Sequence, residues 1–180
     1  MPRVFVAVGS NIEPERNVAR ATGEMAREFP GMRLSPWYRN PAVGFDGADF
    51  INLVTEFTTD LPVKELAARL RVIEELCGRP REARRWAPRC MDLDILLYDG
   101  LVCDEPGLKV PRPDLLKRAY MLGPLADLAP DVMHPTAEAT IGQLWQRFDR
   151  AAHPMTRIRH PLARATTPHC GRHPRPESDR

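Results

Sequence analysis

Residues 92–98 read Asp-Leu-Asp-Ile-Leu-Leu-Tyr, an apolar strand that opens with two aspartates one residue apart. Side chains at i and i+2 of a strand share a face. Asp92 and Asp94 are therefore expected to project together, with Leu93, Ile95 and Leu97 on the opposite, core-facing side. Aspartate is a poor strand former, and adjacent carboxylates repel unless a cation stands between them. The cationic partners at hand are a divalent metal and the arginines just upstream: Arg79, Arg81, Arg84, Arg85 and Arg89. Like charges so close together repel without an anion. Gly78, Pro80 and Pro88 deny that segment regular structure, and Trp86 in its middle is expected to pack when the loop closes. Carboxylates for Mg²⁺ beside guanidiniums for phosphate oxygens are the parts of a nucleotide-dependent phosphoryl-transfer site. A lone Asp-x-Asp is weak by itself, being shared with glycosyltransferases and nucleases.

The flanking segments predict the fold around that strand. Val4–Val8 is a β-branched run that ends at Gly9-Ser10-Asn11. Glu13 to Phe29 carries Val18, Ala21, Met25 and Phe29 at helical spacing, with Pro14 in its first turn and Pro30-Gly31 as a stop. Arg33–Tyr38 reads as a second strand, 39–49 as a Pro/Gly-rich loop, and Phe50–Thr58 as a third strand. Leu61–Cys77 reads as a helix, with Asp60 as candidate N-cap and Leu66, Leu70 and Ile73 on one face, closed by Gly78. The order β-α-β-β-α-β predicts an α+β, ferredoxin-like antiparallel sheet with helices packed on it. C-terminal additions come next: an extended segment near Leu108–Pro113, and short helices over Tyr120–Ala129 and Ile141–Phe148.

Two divisions are expected: a domain over 1–150, and a His/Pro/Arg-rich tail over 151–180, largely disordered from about 155 because apolar periodicity ends there. Of the 26 basic and 24 acidic residues, six arginines and two acidic residues lie in 151–180, which leaves 20 basic and 22 acidic before it. The main domain is thus no polyanion binder by net charge. Cys77, Cys90, Cys103 and Cys170 form no Cys-x-x-Cys pair, which argues against a zinc site and against a disulfide framework. Neither a signal peptide nor a bilayer-length apolar run is visible, so a cytoplasmic protein without membrane contact is expected. His134 is the single histidine of the first 150 residues. Histidine-based nucleophilic catalysis has almost nothing to draw on. The tail histidines are too irregularly spaced for a metal site.

Other segments are open to two readings. Glu74, at the end of the second helix, either holds an arginine of the loop or is a surface helix partner. Gly9-Ser10-Asn11 is either an anion-facing turn or an ordinary strand-to-helix connection. Phe50 and Asn52 share a strand face, where a ring beside a carboxamide suits a flat heterocycle or merely half-buried packing.

Taken together, Gly9-Ser10-Asn11, Tyr38-Arg39-Asn40-Pro41, Phe50-Ile51-Asn52 and Arg85-Trp86-Ala87-Pro88-Arg89-x-x-Asp92-Leu93-Asp94-Ile95-Leu96 resemble the 6-hydroxymethyl-7,8-dihydropterin pyrophosphokinases of folate biosynthesis. The resemblance covers roughly residues 3–135, in order and spacing. It implies a ferredoxin-like enzyme that moves the β,γ-pyrophosphoryl group of ATP onto the pterin hydroxymethyl oxygen, leaving AMP. It implies two Mg²⁺ ions with the ATP, held by Asp92 and Asp94, with Arg79, Arg89 and Asp94 in catalytic positions. Glu74, Arg81, Arg85, Trp86, Ile95, Leu108, Lys109 and Arg112 fall on ATP-contacting positions. Asn40, Pro41, Val43, Phe50, Asn52 and Tyr120 fall on the pterin site, with Arg118 near it. One departure stands out: Arg112 occupies a position where such enzymes commonly have histidine. The implied partners are ATP and the hydroxymethylpterin, acting on a monomer with no nucleic acid and no membrane.

No strong general base is expected, because positioning plus electrostatic relief of the triphosphate suffices. Two competing readings are another Mg-dependent Asp-x-Asp nucleotide transferase and a nucleic-acid-binding ferredoxin-like module.

Overall fold

The structure is a computed structural model, and it describes residues 1–44, 47–78 and 90–159. The elements are β1 (Arg3–Ser10), α1 (Pro14–Glu28), β2 (Arg33–Leu34), β3 (Trp37–Asn40), β4 (Phe50–Thr58), α2 (Val63–Leu76), β5 (Asp92–Tyr98), β6 (Cys103–Glu105), β7 (Leu108–Val110), a 3-10 turn (Leu115–Lys117), α3 (Ala119–Leu128), α4 (Ile141–Arg147) and β8 (Thr156–Ile158). The main sheet runs β5-β1-β4-β3-β8, with β2 also on β4, and every pairing is antiparallel. This is the predicted ferredoxin-like arrangement. Strands β6 and β7 make a separate hairpin.

Two cores lie on the two faces of this sheet. Helix α1 buries Val18, Ala21 and Met25, and α2 buries Leu66, Leu70 and Ile73; both stripes meet Val4, Val6, Val8, Ile51 and Leu53. Alternation along β1 and β4 then sends Phe5, Ala7 and Val54 to the other face, where Leu122 and Leu125 of α3 and Ile141 of α4 cover them. Both helix ends turn at glycines with positive φ, Gly31 at 80° and Gly78 at 90°, where a side chain would be strained. Helix α4 starts with a capping box. Thr140 Oγ1 accepts from the Gln143 amide at 3.2 Å, and Gln143 Oε1 accepts from the Thr140 amide at 3.0 Å.

The structure corrects four expectations. The second strand is broken at Ser35-Pro36, giving β2 and β3. Proline has no amide hydrogen for the ladder, and Ser35 substitutes for it: its amide donates to Val54 O at 2.8 Å, and its hydroxyl accepts from the Val54 amide at 2.9 Å. The N-cap of α2 is Pro62, not Asp60, whose carboxylate instead meets the exposed Met1 ammonium at 3.8 Å. Leu97 packs with Phe5 and Leu96 on the α3 side, not beside Leu93 and Ile95. A register shift causes this: Phe5 faces Leu97 but Val6 faces Ile95, so Leu96 is an extra residue and the strand beyond it changes face. Finally, Thr156–Ile158, expected to lie in the unstructured tail, forms β8 against Trp37–Arg39. Residues 160–180, including His160, His169, His173 and Cys170, lie outside the described residues.

The described cysteines Cys77, Cys90 and Cys103 are free thiols. No described helix is long and apolar enough to cross a membrane.

Candidate active site

Helices α3 and α4 cover only part of their sheet face. The remainder is built from the ends of four strands. Register places Tyr38, Asn52, Gly9 and Asp92 side by side across β3, β4, β1 and β5. Adjacent strands lie about 4.8 Å apart, so Asn52 and Asp92 stand roughly 10 Å from one another with Gly9 between them. Gly9 has no side chain to fill that gap. A Cβ there would come within 2.5 Å of Asn52 Oδ1 and 4.0 Å of Phe50 Cδ1. The glycine is therefore a close-approach position: the Asn52 carboxamide lies over its backbone.

On one side of Gly9 the site is neutral and internally bonded. Asn52 Nδ2 donates to Asn40 Oδ1 at 2.6 Å, and Asn40 Nδ2 donates to Pro41 O at 2.9 Å. Both carboxamides are buried, and Phe50, paired with Asn40 across the strands, is half-buried beside them. Asn11 Nδ2 donates to Ala48 O at 3.3 Å, which ties the chain just before β4 to the end of β1. After β3, Pro41 is exposed, as is Val43. Tyr38 donates its hydroxyl to Asp127 Oδ2 of α3. Burial, and then the Asp127 carboxylate, push its phenol up to about 12, with Arg157 of β8 opposing.

On the other side the site is charged. Asp92 and Asp94 are both partly exposed and share the expected face; Leu93 and Ile95 are buried in the α1/α2 core. Arg112 Nη1 donates to Asp94 Oδ1 at 2.9 Å, and the Arg112 amide donates to Leu96 O at 2.9 Å. Tyr120 is half-buried at the start of α3; burial raises its phenol, Arg118 lowers it, and the carboxylates of Asp114, Asp94 and Asp92 raise it. Tyr120 is thus brought within electrostatic reach of the aspartate pair. The two aspartates alone are a sparse donor set, and no cluster of three or more His, Cys, Asp or Glu occurs among the described residues. That fits a hard divalent cation that takes most of its ligands from phosphate and water, as Mg²⁺ does, and does not fit a self-contained metal cage.

The start of β5 is fastened at two points. Glu74 is buried in α2, and its Oε1 accepts from the Leu93 amide at 2.7 Å. It is neither a simple surface partner nor only an arginine holder: it fixes the strand that carries the aspartates. Ser10 is fully buried, and its hydroxyl donates to Cys90 O at 2.6 Å, joining the end of β1 to the chain just before β5. So Gly9-Ser10 ends the strand with a structural clasp to the chain just before β5. Neither bond is legible in the sequence, because each joins residues far apart in the chain and no local pattern announces them.

The other predicted positions are distributed unevenly. Ile95 is 7% exposed in the α1/α2 core, so only its backbone is on offer to a ligand. Leu108 is half-buried against the same core, and Lys109 pairs with Asp104 at 2.7 Å across the β6–β7 hairpin. Arg79, Arg81, Arg84, Arg85, Trp86 and Arg89 lie outside the described residues; the described chain stops at Gly78 and resumes at Cys90, beside the aspartates.

Residues 5–130 match the model of the 7,8-dihydro-6-hydroxymethylpterin-pyrophosphokinase (HPPK) family. A 2-amino-4-hydroxy-6-hydroxymethyldihydropteridine pyrophosphokinase of Pseudomonas aeruginosa is 42% identical over 137 residues, covering 74% of this chain and 84% of that protein. A protein of the same name from Synechocystis is 35% identical over 150 residues, covering 82% and 76%. Among solved structures, a Plasmodium falciparum HPPK-DHPS superposes with a TM-score of 0.65 at 13% identity, over 81% of this chain and 45% of that longer one. The last likeness shows the fold alone; the family match and the two bacterial relatives show more. The chain belongs to the 7,8-dihydro-6-hydroxymethylpterin-pyrophosphokinase family.

Proposed function

We propose that the chain transfers the pyrophosphoryl group of ATP to the hydroxymethyl oxygen of 6-hydroxymethyl-7,8-dihydropterin, a step of folate biosynthesis. One observation supports this reading beyond family membership: a neutral, hydrogen-bonded wall and a carboxylate pair share one face of the sheet, with Gly9, which has no side chain, between them. The wall of Asn40, Asn52 and Phe50 suits a flat heterocycle with ring nitrogens and a carbonyl, and Tyr120 stands near enough to bound it. Asp92 and Asp94 suit a magnesium–triphosphate.

In the reaction, the hydroxyl oxygen bonds to the β-phosphorus as the bond from that phosphorus to the α–β bridging oxygen breaks. AMP leaves with the bonding pair, and the hydroxyl proton passes to solvent or to Asp94. Asp92 and Asp94 would hold two Mg²⁺ ions, which when bound offset charge on the triphosphate and on the leaving oxygen. The protein's share is orientation. The Asn40–Asn52 pair aligns the heterocycle, Glu74 and Ser10 hold the strand that bears the carboxylates, and Arg112 supplies a permanent positive charge at the carboxylate end of the site. Arg79 and Arg89, in the segment between α2 and β5, are proposed to act in the transfer. The working unit is proposed to be a cytoplasmic monomer that needs neither nucleic acid nor membrane.

AMP formation from ATP tests the proposal. It should require both Mg²⁺ and the hydroxymethylpterin. AMP production that continues without the pterin, or pterin-dependent turnover in excess chelator, would refute it.

A further inference from the structure

Asp94 already has a cation supplied by the chain itself. Arg112 Nη1 reaches Asp94 Oδ1 at 2.9 Å. The approach is built in from the backbone. The Arg112 amide is bonded to Leu96 O, the carbonyl two residues beyond Asp94, and prolines 111 and 113 restrict the chain on either side. Asp94 is 15% exposed and Arg112 36%, so the pair is better shielded than an open surface contact. A guanidinium stays charged at every working pH, so no proton can release it.

This contact engages a carboxylate that the proposed function assigns to Mg²⁺. A divalent cation approaching Asp94 meets a ligand whose charge is already offset, and coordination through Oδ1 requires the guanidinium to withdraw. The same guanidinium has planar, forked donors that match phosphate oxygens as well as carboxylate. We infer that Arg112 is an exchangeable counter-ion and positioning residue: it holds Asp94 before nucleotide binds, yields it to the metal that arrives with the nucleotide, and is thereby released to the triphosphate. The inference rests on the reading of Asp94 as a metal ligand. It implies that metal binds weakly without nucleotide, and that metal and nucleotide assist one another because each removes one partner of the same ion pair. By linkage that assistance is reciprocal.

The test is metal binding without turnover, with Mn²⁺ as the probe and the full chain as the protein. Free Mn²⁺ is followed by its paramagnetic resonance signal. Arg112→Met should tighten Mn²⁺ binding in the absence of nucleotide by about three- to tenfold, the scale of a partly shielded charge-assisted hydrogen bond. The same variant should bind the magnesium complex of a non-hydrolysable ATP analogue about tenfold more weakly. Arg112→Lys, which keeps the charge without the fork, should fall between wild type and Arg112→Met in both assays. In an Asp94→Asn background Arg112→Met should no longer tighten Mn²⁺ binding, which assigns the effect to the pair.

Loss of the gain in the Asp94→Asn background is the discriminating feature, since removing any nearby positive charge favours a bound cation to some extent, whereas release of the pair needs the Asp94 carboxylate. If Arg112→Met leaves Mn²⁺ affinity unchanged or weaker while Asp94→Asn lowers it, the exchange is wrong and the metal reading stands. A gain that persists in the Asp94→Asn background also overturns the exchange. If Asp94→Asn has no effect on Mn²⁺, the exchange and the metal reading fail together.

Discussion

The two sides of Gly9 solve different problems. The proposed acceptor side is neutral and hydrogen-bonded within the chain: buried Asn52 is bonded to Asn40, Asn40 to Pro41 O, and Ala48 O to Asn11. The proposed donor side is charged and more open, with Asp92 and Asp94 partly exposed and Arg112 beside Asp94. A neutral hydrogen-bonded wall holds its form before ligand arrives, so it can select a heterocycle by fit. A carboxylate pair is held apart by repulsion and gains order from its counter-ions. Preorganisation on one side thus faces charge-driven assembly on the other, across a single backbone width.

Replacing a carboxylate should break the donor side most severely. Asp92→Asn or Asp94→Asn is expected to lower kcat by about 10³-fold, equivalent to roughly 4 kcal/mol of transition-state stabilisation. Pterin affinity, measured by fluorescence quenching, should change little. Near-normal turnover in either variant contradicts the metal assignment.

Filling the gap should break the acceptor side. Gly9→Ala puts a Cβ 2.5 Å from Asn52 Oδ1, and overpacking of this kind costs about 1–3 kcal/mol. The expected result is a pterin dissociation constant raised by about tenfold or more, with nucleotide affinity preserved. Equal losses for both ligands would show that the two sides are not separable.

A narrower perturbation is Asn40→Ala. It removes the acceptor of the Asn52 Nδ2 bond and leaves that buried amide unpaired, at a cost of about 1–3 kcal/mol. Thermal stability and pterin affinity should fall together, and calorimetry alongside ligand titration checks this.

The smallest effect is a control remote from both sides. His134 is buried near α4, its backbone bonded to Ala139 O and its Nδ1 facing the Thr136 amide at 3.3 Å, and burial pushes its imidazole below the ordinary value. A lowered folded-state pKa means the unfolded chain binds the proton more readily. Stability is then full above the ordinary histidine range and declines as pH falls through about 6.5. His134→Asn should flatten that decline in a melting-temperature series without altering the ratio of pterin to nucleotide affinity.

How far the sequence spoke depended on whether a feature was local. Phe50–Thr58 emerged with its boundaries intact because a β-branched, aromatic run lies between turn residues. Helix α2 emerged because Leu66, Leu70 and Ile73 mark one stripe and Gly78 ends it. Asp92 and Asp94 share a face because i and i+2 do so in any strand. The hidden features were relational. The reversal of Leu97 depends on a one-residue register slip against Phe5 and Val6, and nothing within β5 signals it. The Ser35 substitution in the ladder needs the partner strand to be seen. The Asn40–Asn52 contact and the Glu74 bond to Leu93 depend on pairings fixed only when the sheet forms. Strand β8 has three residues, too few for any period to show.

That short strand has a consequence for how the molecule meets its own copies. A bare sheet edge offers unpaired amides and carbonyls to any passing chain. Strand β3, which carries Tyr38 and Asn40, would present such an edge; Thr156–Ile158 covers Trp37–Arg39, and Ile158 tucks against the main core. The new border is only three residues long, carries Arg157 and is succeeded by Arg159, two features that discourage further pairing. The acceptor wall is therefore guarded by a segment synthesised long after it. Until that segment emerges, the β3 edge of the nascent sheet is uncovered.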